Sequence, residues 1–270
     1  MMDLKNKVVI ITGASSGIGK AIACKFAQEG CLLTLAARRI NLLEELKQQL
    51  NGTEVLIQQT DVSKEDDCKK LIEETVKKYG KIDILVNDAG ISMRALFEDL
   101  DLSVIHQVMN VNFWGTVNCT KFALPYLLKT KGSVVGVISI AGYMGLPGRT
   151  GYSASKFAIR GFLDTLRIEN LKKGLHVLVA APGFTSSNVR KAALTADGSP
   201  QGETPRKENK MMSAETCAGH IVHAVKKRKS QLILTFTEGK VAVFLEKIIP
   251  RIMDKLIYIV MSKEPNSPLK

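Results

Sequence analysis

The sequence predicts a doubly wound parallel α/β fold, one sheet domain with a helical C-terminal extension. Three observations predict it. Short apolar runs alternate with amphipathic segments at the spacing of right-handed βαβ units. The first run opens onto a glycine-rich turn that leads directly into a helical pattern. Hydrophobic residues make up 45% of 270 positions with no linker, repeat or low-complexity tract, so one core suffices.

The elements follow in order. Residues 7–12 are a continuous apolar run suited to a strand buried on both faces. A helix at 17–29, a strand at 31–37 and a helix at 41–50 come next. Then come a strand at 54–60, an amphipathic helix at 64–79 and a strand at 81–87. A long helix is predicted over 102–129, a fifth strand over 132–140, a helix over 151–173 and a sixth strand over 175–181. Residues 185–212 are long, polar and mixed, with Pro200 and Pro205; such a stretch inside a compact domain reads as a substrate lid. Ser213 starts another helix, 231–237 form a last strand, and the tail at 240–262 is helical in pattern.

Composition excludes several classes. No stretch of about 18 uncharged apolar residues exists, so no spanning helix is expected. A strand beginning at residue 7 leaves no room for a signal peptide, and a cytoplasmic protein is expected. Five scattered cysteines without CxxC spacing read as reduced core thiols. His220 and His223 share a helical face without a second ligand pair, so no metal site is expected. The net charge of +12 is spread along the chain. Its single run, Lys226-Lys227-Arg228-Lys229, suits a helix C-terminus, and nucleic acid is not an expected partner.

The turn Thr12-Gly13-Ala14-Ser15-Ser16-Gly17-Ile18-Gly19 carries the first functional signal. Glycines permit a tight turn and close approach of a pyrophosphate, and the following helix offers free N–H groups and a positive dipole end. The spacing is G-x3-G-x-G rather than G-x-G-x-x-G, and a glycine turn taken alone is explained by close packing. Its place between the first strand and a helix favours nucleotide binding. The second strand then ends Ala36-Ala37-Arg38-Arg39. No carboxylate is there to bond a ribose 2′-hydroxyl, whereas Arg38 can clamp a 2′-phosphate, so NADP(H) is favoured over NAD(H). Two solvated surface arginines are the alternative.

The second signal is Tyr152 with Lys156, four residues apart on one helix face. An ammonium near a phenol favours the phenolate and tunes the tyrosine towards acid–base chemistry. Of five tyrosines only Tyr152 has lysine at that offset, although a surface pair would look the same. Ser139 falls at the C-terminal end of the fifth strand, where ligands bind in such sheets. Asn112 lies inside the long helix, either with polar business there or as a buried amide satisfying nearby backbone groups.

With these pieces in hand, the chain resembles the short-chain dehydrogenase/reductase family over roughly residues 5–235. The matching motifs are TGxxxGxG at 12–19, Asp61-Val62, Asn87-Asp88-Ala89-Gly90, Asn112, Ser139, Tyr-x-x-x-Lys at 152–156 and Pro182-Gly183. The resemblance implies a Rossmann-type fold and interconversion of a ketone and a secondary alcohol. It implies that Tyr152 donates the proton, Ser139 positions the carbonyl oxygen, Lys156 lowers the tyrosine pKa and bonds the nicotinamide ribose, and Asn112 holds a relay water. Cofactor contacts are implied for Gly13, Ser15, Ser16, Gly17, Ile18, Gly19, Arg38, Arg39, Asp61, Val62, Asn87, Ala89, Gly90, Tyr152, Lys156, Pro182, Gly183, Phe184, Thr185 and Ser187. Two positions depart from the pattern: Asp88 replaces the usual second asparagine, and Ser187 stands where threonine is common.

Met93, Met144, Leu146, Phe184, Met211 and Met212 suggest an adaptable apolar substrate lining, or ordinary core. A hydrophobic, steroid- or lipid-like ketone leads; a 3-oxoacyl thioester is the enzymatic alternative, and a silent NADP-binding sensor or scaffold the non-enzymatic one. From 241 to 260 the apolar residues form a stripe wider than one core-facing side, with Pro250 breaking it. Either the tail packs wholly on its own domain, or it meets a membrane face or a second subunit of a homodimer or homotetramer.

Overall fold

The computed structural model describes residues 1–186, 189–204 and 211–270. Seven parallel strands form one sheet in the order β3-β2-β1-β4-β5-β6-β7. They are β1 (Val8–Thr12), β2 (Leu32–Ala37), β3 (Val55–Gln59), β4 (Ile84–Asn87), β5 (Ser133–Val137), β6 (His176–Ala181) and β7 (Gln231–Ile233). The chain starts in the middle, winds outward to β3, then returns to β4 beside β1. There Val9 lies opposite Leu33 on one side and Ile84 on the other.

Period-two alternation splits the strand residues between two cores. Val9, Ile11, Leu33, Leu35, Val86 and Val135 face one way, against α1 (Gly17–Gln28), α2 (Ile40–Gln49) and α7 (Ala214–Lys226). Ile10, Leu85, Val134, Val177 and Val179 face the other, against α3 (Glu65–Tyr79), α5 (Gly115–Lys129) and α6 (Thr150–Glu169). Covering both faces is what lets β1 read as VVIIT with every position buried. The basic run at 226–229 does fall at the end of α7, where Lys226 pairs with Glu29 at 2.7 Å.

Three elements differ from expectation. The helix predicted over 102–129 is α4 (Leu102–Met109) and α5 joined by a π-helical turn, Asn110–Trp114. The extra residue in that turn brings Asn112 to complete burial. Strand β5 stops at Val137, because Ser139 caps a short 3-10 turn, its Oγ accepting from the Ala141 N–H at 3.2 Å. Strand β7 stops at Ile233, before Thr235 turns the chain at φ +66° into a π-helical segment, Phe236–Val241.

The expected lid is structured where it is described. Leu194 bridges to Met93 and Pro200, and is buried with Val104 and Val108 of α4. Ser187, Pro205 and the rest of 187–188 and 205–210 lie outside the described residues.

The tail forms α8 (Ala242–Ile248) and α9 (Pro250–Ser262), broken at Pro250 as expected. Only part of its apolar surface is covered. Val243, Met253 and Met261 are buried, while Phe244, Ile248, Ile252, Leu256, Tyr258, Ile259 and Val260 are exposed. After α9 the chain folds back. Glu264 is buried with its Oε2 3.6 Å from Arg94 and 3.9 Å from Arg149, both buried guanidiniums. Arg94 also donates to Pro265 O at 2.8 Å, and a Cβ added to Gly148 would lie 3.0 Å from Pro268. Removing one partner of a buried ion cluster leaves charge uncompensated, which costs about 3–5 kcal/mol. Glu264→Ala is therefore expected to lower the unfolding free energy by about 3 kcal/mol or more on that scale. Removing Leu269 and Lys270 should change it little. Chemical denaturation of both variants checks this.

Candidate active site

The C-terminal ends of the strands open on a cleft of about 320 Å3 where strand order reverses between β1 and β4. Gly13, Ser15, Ser16, Gly17 and Ile18 line one wall; Ala36, Arg38, Arg39, Thr60, Asp61 and Val62 line the far end. Asp88, Ala89, Gly90, Tyr152 and Lys156 line the near end.

The turn fits a pyrophosphate. Gly13 has φ +71° and Gly17 φ +57°, the left-handed region that glycine tolerates. A Cβ on Gly13 would stand 2.8 Å from Ala89 N, so the loop after β4 seats directly on the turn. The N-cap residue Ser16 makes no side-chain cap hydrogen bond at the N-terminus of α1, and no acid belongs to its first turn. Its leading N–H groups are thus oriented for an anion.

The arginine pair divides in an unforeseen way. Arg39, rather than Arg38, reaches back onto the turn, with Nη2 donating to Ser15 Oγ at 2.9 Å and Ser16 Oγ at 3.0 Å. Arg38 lines the cleft, and its carbonyl accepts from Gln59 Nε2 at 3.0 Å. Asp61 accepts from Ser63 Oγ at 2.7 Å, which orients its carboxylate at the cleft rim. Asn87 goes elsewhere: buried, it donates to Thr120 Oγ1 at 3.1 Å and ties β4 to α5 rather than lining the cleft.

Four polar residues converge at the near end. Lys156 is buried, its Nζ donating to Val137 O at 3.0 Å and lying 5.6 Å from the Tyr152 ring centroid. Burial pushes the Lys156 ammonium down to about 8, against the pull of Asp88. The Tyr152 phenol is raised, not lowered as expected. Burial is the main cause, opposed by a hydrogen bond with Ser139 and by the charges of Arg149 and Arg190. Asn112 exchanges hydrogen bonds with Ile91, its Oδ1 accepting from N–H at 2.8 Å and its Nδ2 donating to O at 3.0 Å. Nδ2 also donates to Ser155 Oγ at 2.9 Å. The buried-amide alternative describes these contacts: Asn112 clamps the loop after β4 to α6.

A second cavity of about 100 Å3 adjoins the first. Ser139, Tyr152, Pro182, Gly183, Phe184 and Thr185 line it, so the segment after β6 sits beside Ser139 and Tyr152. Of the anticipated apolar lining, Leu146 and Phe184 face the cavity, whereas Met93 and Met144 are buried in core. Arg149 and Arg190 also line it, and sequence reasoning missed both. Arg149 directly precedes the helix carrying Tyr152, a signal that was available; Arg190 lies within the segment taken for structureless. Arg190 Nη2 donates to Thr185 O at 3.0 Å, which explains its burial.

Comparison with known proteins agrees with this architecture. A family model described as short chain dehydrogenase matches residues 7–197. A Dictyostelium discoideum dehydrogenase/reductase SDR family protein 7-like is 36% identical over 94% of this chain and 81% of its own length. An Arabidopsis thaliana 11-beta-hydroxysteroid dehydrogenase-like 3 is 42% identical over 69% of this chain, which spans only 62% of that protein. Among solved structures, an alcohol dehydrogenase from Thermococcus sibiricus, complexed with 5-hydroxy-NADP, superposes with TM-score 0.73 at 28% identity. The match covers 84% of this chain and 94% of that one. From its glycine turn to its convergent serine, tyrosine and lysine, the chain belongs to the short-chain dehydrogenase/reductase family, oxidoreductases acting on CH–OH groups.

Proposed function

We propose that this protein is an NADP(H)-dependent oxidoreductase that interconverts a ketone and a secondary alcohol, with Tyr152 as acid/base. The observation that carries the proposal is the position of Tyr152, which lines both the dinucleotide-sized cleft and the smaller cavity. A bound nicotinamide supplies or accepts the hydride. Tyr152 gives its proton to the substrate oxygen, and Ser139, on the wall of the same small cavity, orients that oxygen. Lys156 contributes a buried cation beside the ring, and Asn112 fixes the distance between the loop after β4 and α6. Because burial raises the phenol pKa, Tyr152 stays protonated at neutral pH, which suits reduction. Alcohol oxidation needs the phenolate and gains as pH rises.

Loss of the phenol removes the acid, so Tyr152→Phe should lower turnover by at least about a hundredfold. Dinucleotide affinity should change little. Near-wild-type reduction by this variant refutes the mechanism.

The NADP(H) preference is supported by the absence of a carboxylate at the end of β2 and by the two arginines there. The Thermococcus relative was solved with a 5-hydroxy-NADP, which agrees. Arg38→Asp and Arg39→Asp should each move the kcat/KM ratio from NADPH towards NADH, Arg39→Asp more, because it also releases Ser15 and Ser16. A wild type that already prefers NADH refutes the assignment.

A hydrophobic, steroid-like substrate is supported by the hydroxysteroid dehydrogenase names of the plant relatives and by Ile138, Ile140, Leu146 and Phe184 around the cavity. We place the protein in the cytoplasm as a homodimer or homotetramer, with α8 and α9 covered by a second subunit or by a membrane face. No helix among the described residues is long and apolar enough to cross a membrane. The exposed Phe244, Ile248, Ile252, Leu256 and Ile259 support a covered surface. Replacing the exposed Phe244, Ile252 and Leu256 by serine, which leaves Glu264 and the buried tail residues in place, should retain dinucleotide binding but abolish dimerisation or association with anionic vesicles. Size-exclusion chromatography and vesicle flotation of both forms test this; a monomeric wild type that ignores vesicles refutes it.

A further inference from the structure

Asp88 is where the chain departs from its family's asparagine, and the structure sets that carboxylate against the phosphate-binding turn. Its backbone N–H donates to Thr12 Oγ1 at 3.2 Å, and the Gly19 N–H lies near enough to its carboxylate to favour the ionised form. A Cβ added to Gly19 would lie 2.7 Å from Asp88 Oδ2. Asp88 also lines the cleft with Gly13, Gly17 and Gly90. A pyrophosphate held by this turn therefore meets a carboxylate at close range, and like charges in a poorly solvated site disfavour one another.

The groups facing Asp88 come from three elements. Lys156 and Tyr152 on α6 and the Cys217 thiol on α7 interact with it electrostatically, and the N-terminus of α1 supplies the Gly19 N–H. Arg38, Arg39 and Asp61 occupy the opposite end of the cleft. Lys156 favours the ionised carboxylate. An incoming dianionic diphosphate opposes it and draws the cations to itself.

We propose that Asp88 is a positioning residue for the dinucleotide that takes up a proton as the pyrophosphate binds. Protonated, it has the shape of asparagine and regains a donor, its O–H standing where the amide N–H2 stands in the family pattern. Burial raises its pKa to about 7, so the free protein divides between both forms near neutrality. The sign follows: a bound anion raises the carboxyl pKa further, so binding consumes protons from about pH 7 upward. Affinity holds below that range and weakens above it, by up to roughly tenfold per pH unit. This rests on the cleft holding a dinucleotide, but not on NADP(H) over NAD(H), nor on the substrate.

The test is calorimetric titration of NADP+ and of NAD+ into the full-length protein at pH 7, in two buffers of different ionisation enthalpy. Wild type should take up roughly half a proton per dinucleotide, from its half-ionised carboxyl. Asp88→Asn should lose the carboxyl's half proton at pH 7, retain only the pH dependence that Lys156 contributes, and keep the wild-type melting temperature within a few degrees. An infrared difference spectrum should show a protonated-carboxyl stretch on binding to wild type and none in Asp88→Asn, which separates Asp88 from Lys156. Asp88→Ala removes charge and donor together, and should bind without the carboxyl's proton uptake but more weakly than the asparagine variant. Dinucleotide binding to wild type without proton uptake or the infrared band overturns the inference while leaving the proposed function intact. Equal bands in wild type and Asp88→Asn also overturn it. No binding of either dinucleotide at any pH overturns both.

Discussion

The reversal of strand order between β1 and β4 is the constraint on which the rest depends. Parallel strands with right-handed crossovers place all their carboxyl ends at one edge, and the chain can reverse its progression across the sheet only once in this order. At that point the helices following β1 and β4 leave towards opposite faces, α1 to one and α5 to the other. The gap between them is the cleft. Gly13 and Ala89, distant in sequence, are in contact there because the backbones of two neighbouring strands end side by side.

Around this gap the protein buries polar groups that would destabilise an ordinary core. Lys156, Asn112, Ser155 and Asn87 are nearly inaccessible, and each reaches a backbone or hydroxyl partner. The same desolvation that makes such burial costly moves the titrating groups towards one another: Lys156 down to about 8, Asp88 up to about 7. A lysine and a carboxylate whose pKa values burial draws towards neutrality line the same cleft as Tyr152. The π-helical turn serves this arrangement by pulling Asn112 inward to bind both the loop after β4 and α6.

The tail shows the opposite balance. Its helices leave large apolar side chains in solvent, while the few residues after them carry a buried carboxylate to two buried arginines. One of those, Arg149, lines the small cavity with Ser139 and Tyr152. The last residues are thereby joined to the wall of the small cavity, and Asn266 donates to Glu203 at 2.8 Å on the segment after β6.

Much of this was legible in the amino-acid order, and the reason is local. Alternation of apolar residues set strands and helices to within a few positions, since each period depends only on near neighbours. The glycine turn, the end of β2 without a carboxylate, and the Tyr152–Lys156 offset likewise needed no knowledge of the fold. What only tertiary structure decided were contacts between distant segments. It chose Arg39 over Arg38 for the turn, turned Asn87 towards α5, split the long helix at Asn112, brought Arg149 and Arg190 to the small cavity, and set Glu264 against Arg149. It also set the direction of the Tyr152 shift, because burial outweighs a neighbouring cation once the phenol leaves water. Spacing along a chain encodes which face a side chain shares; it does not encode how much solvent that face retains, and the chemistry depends on the solvent.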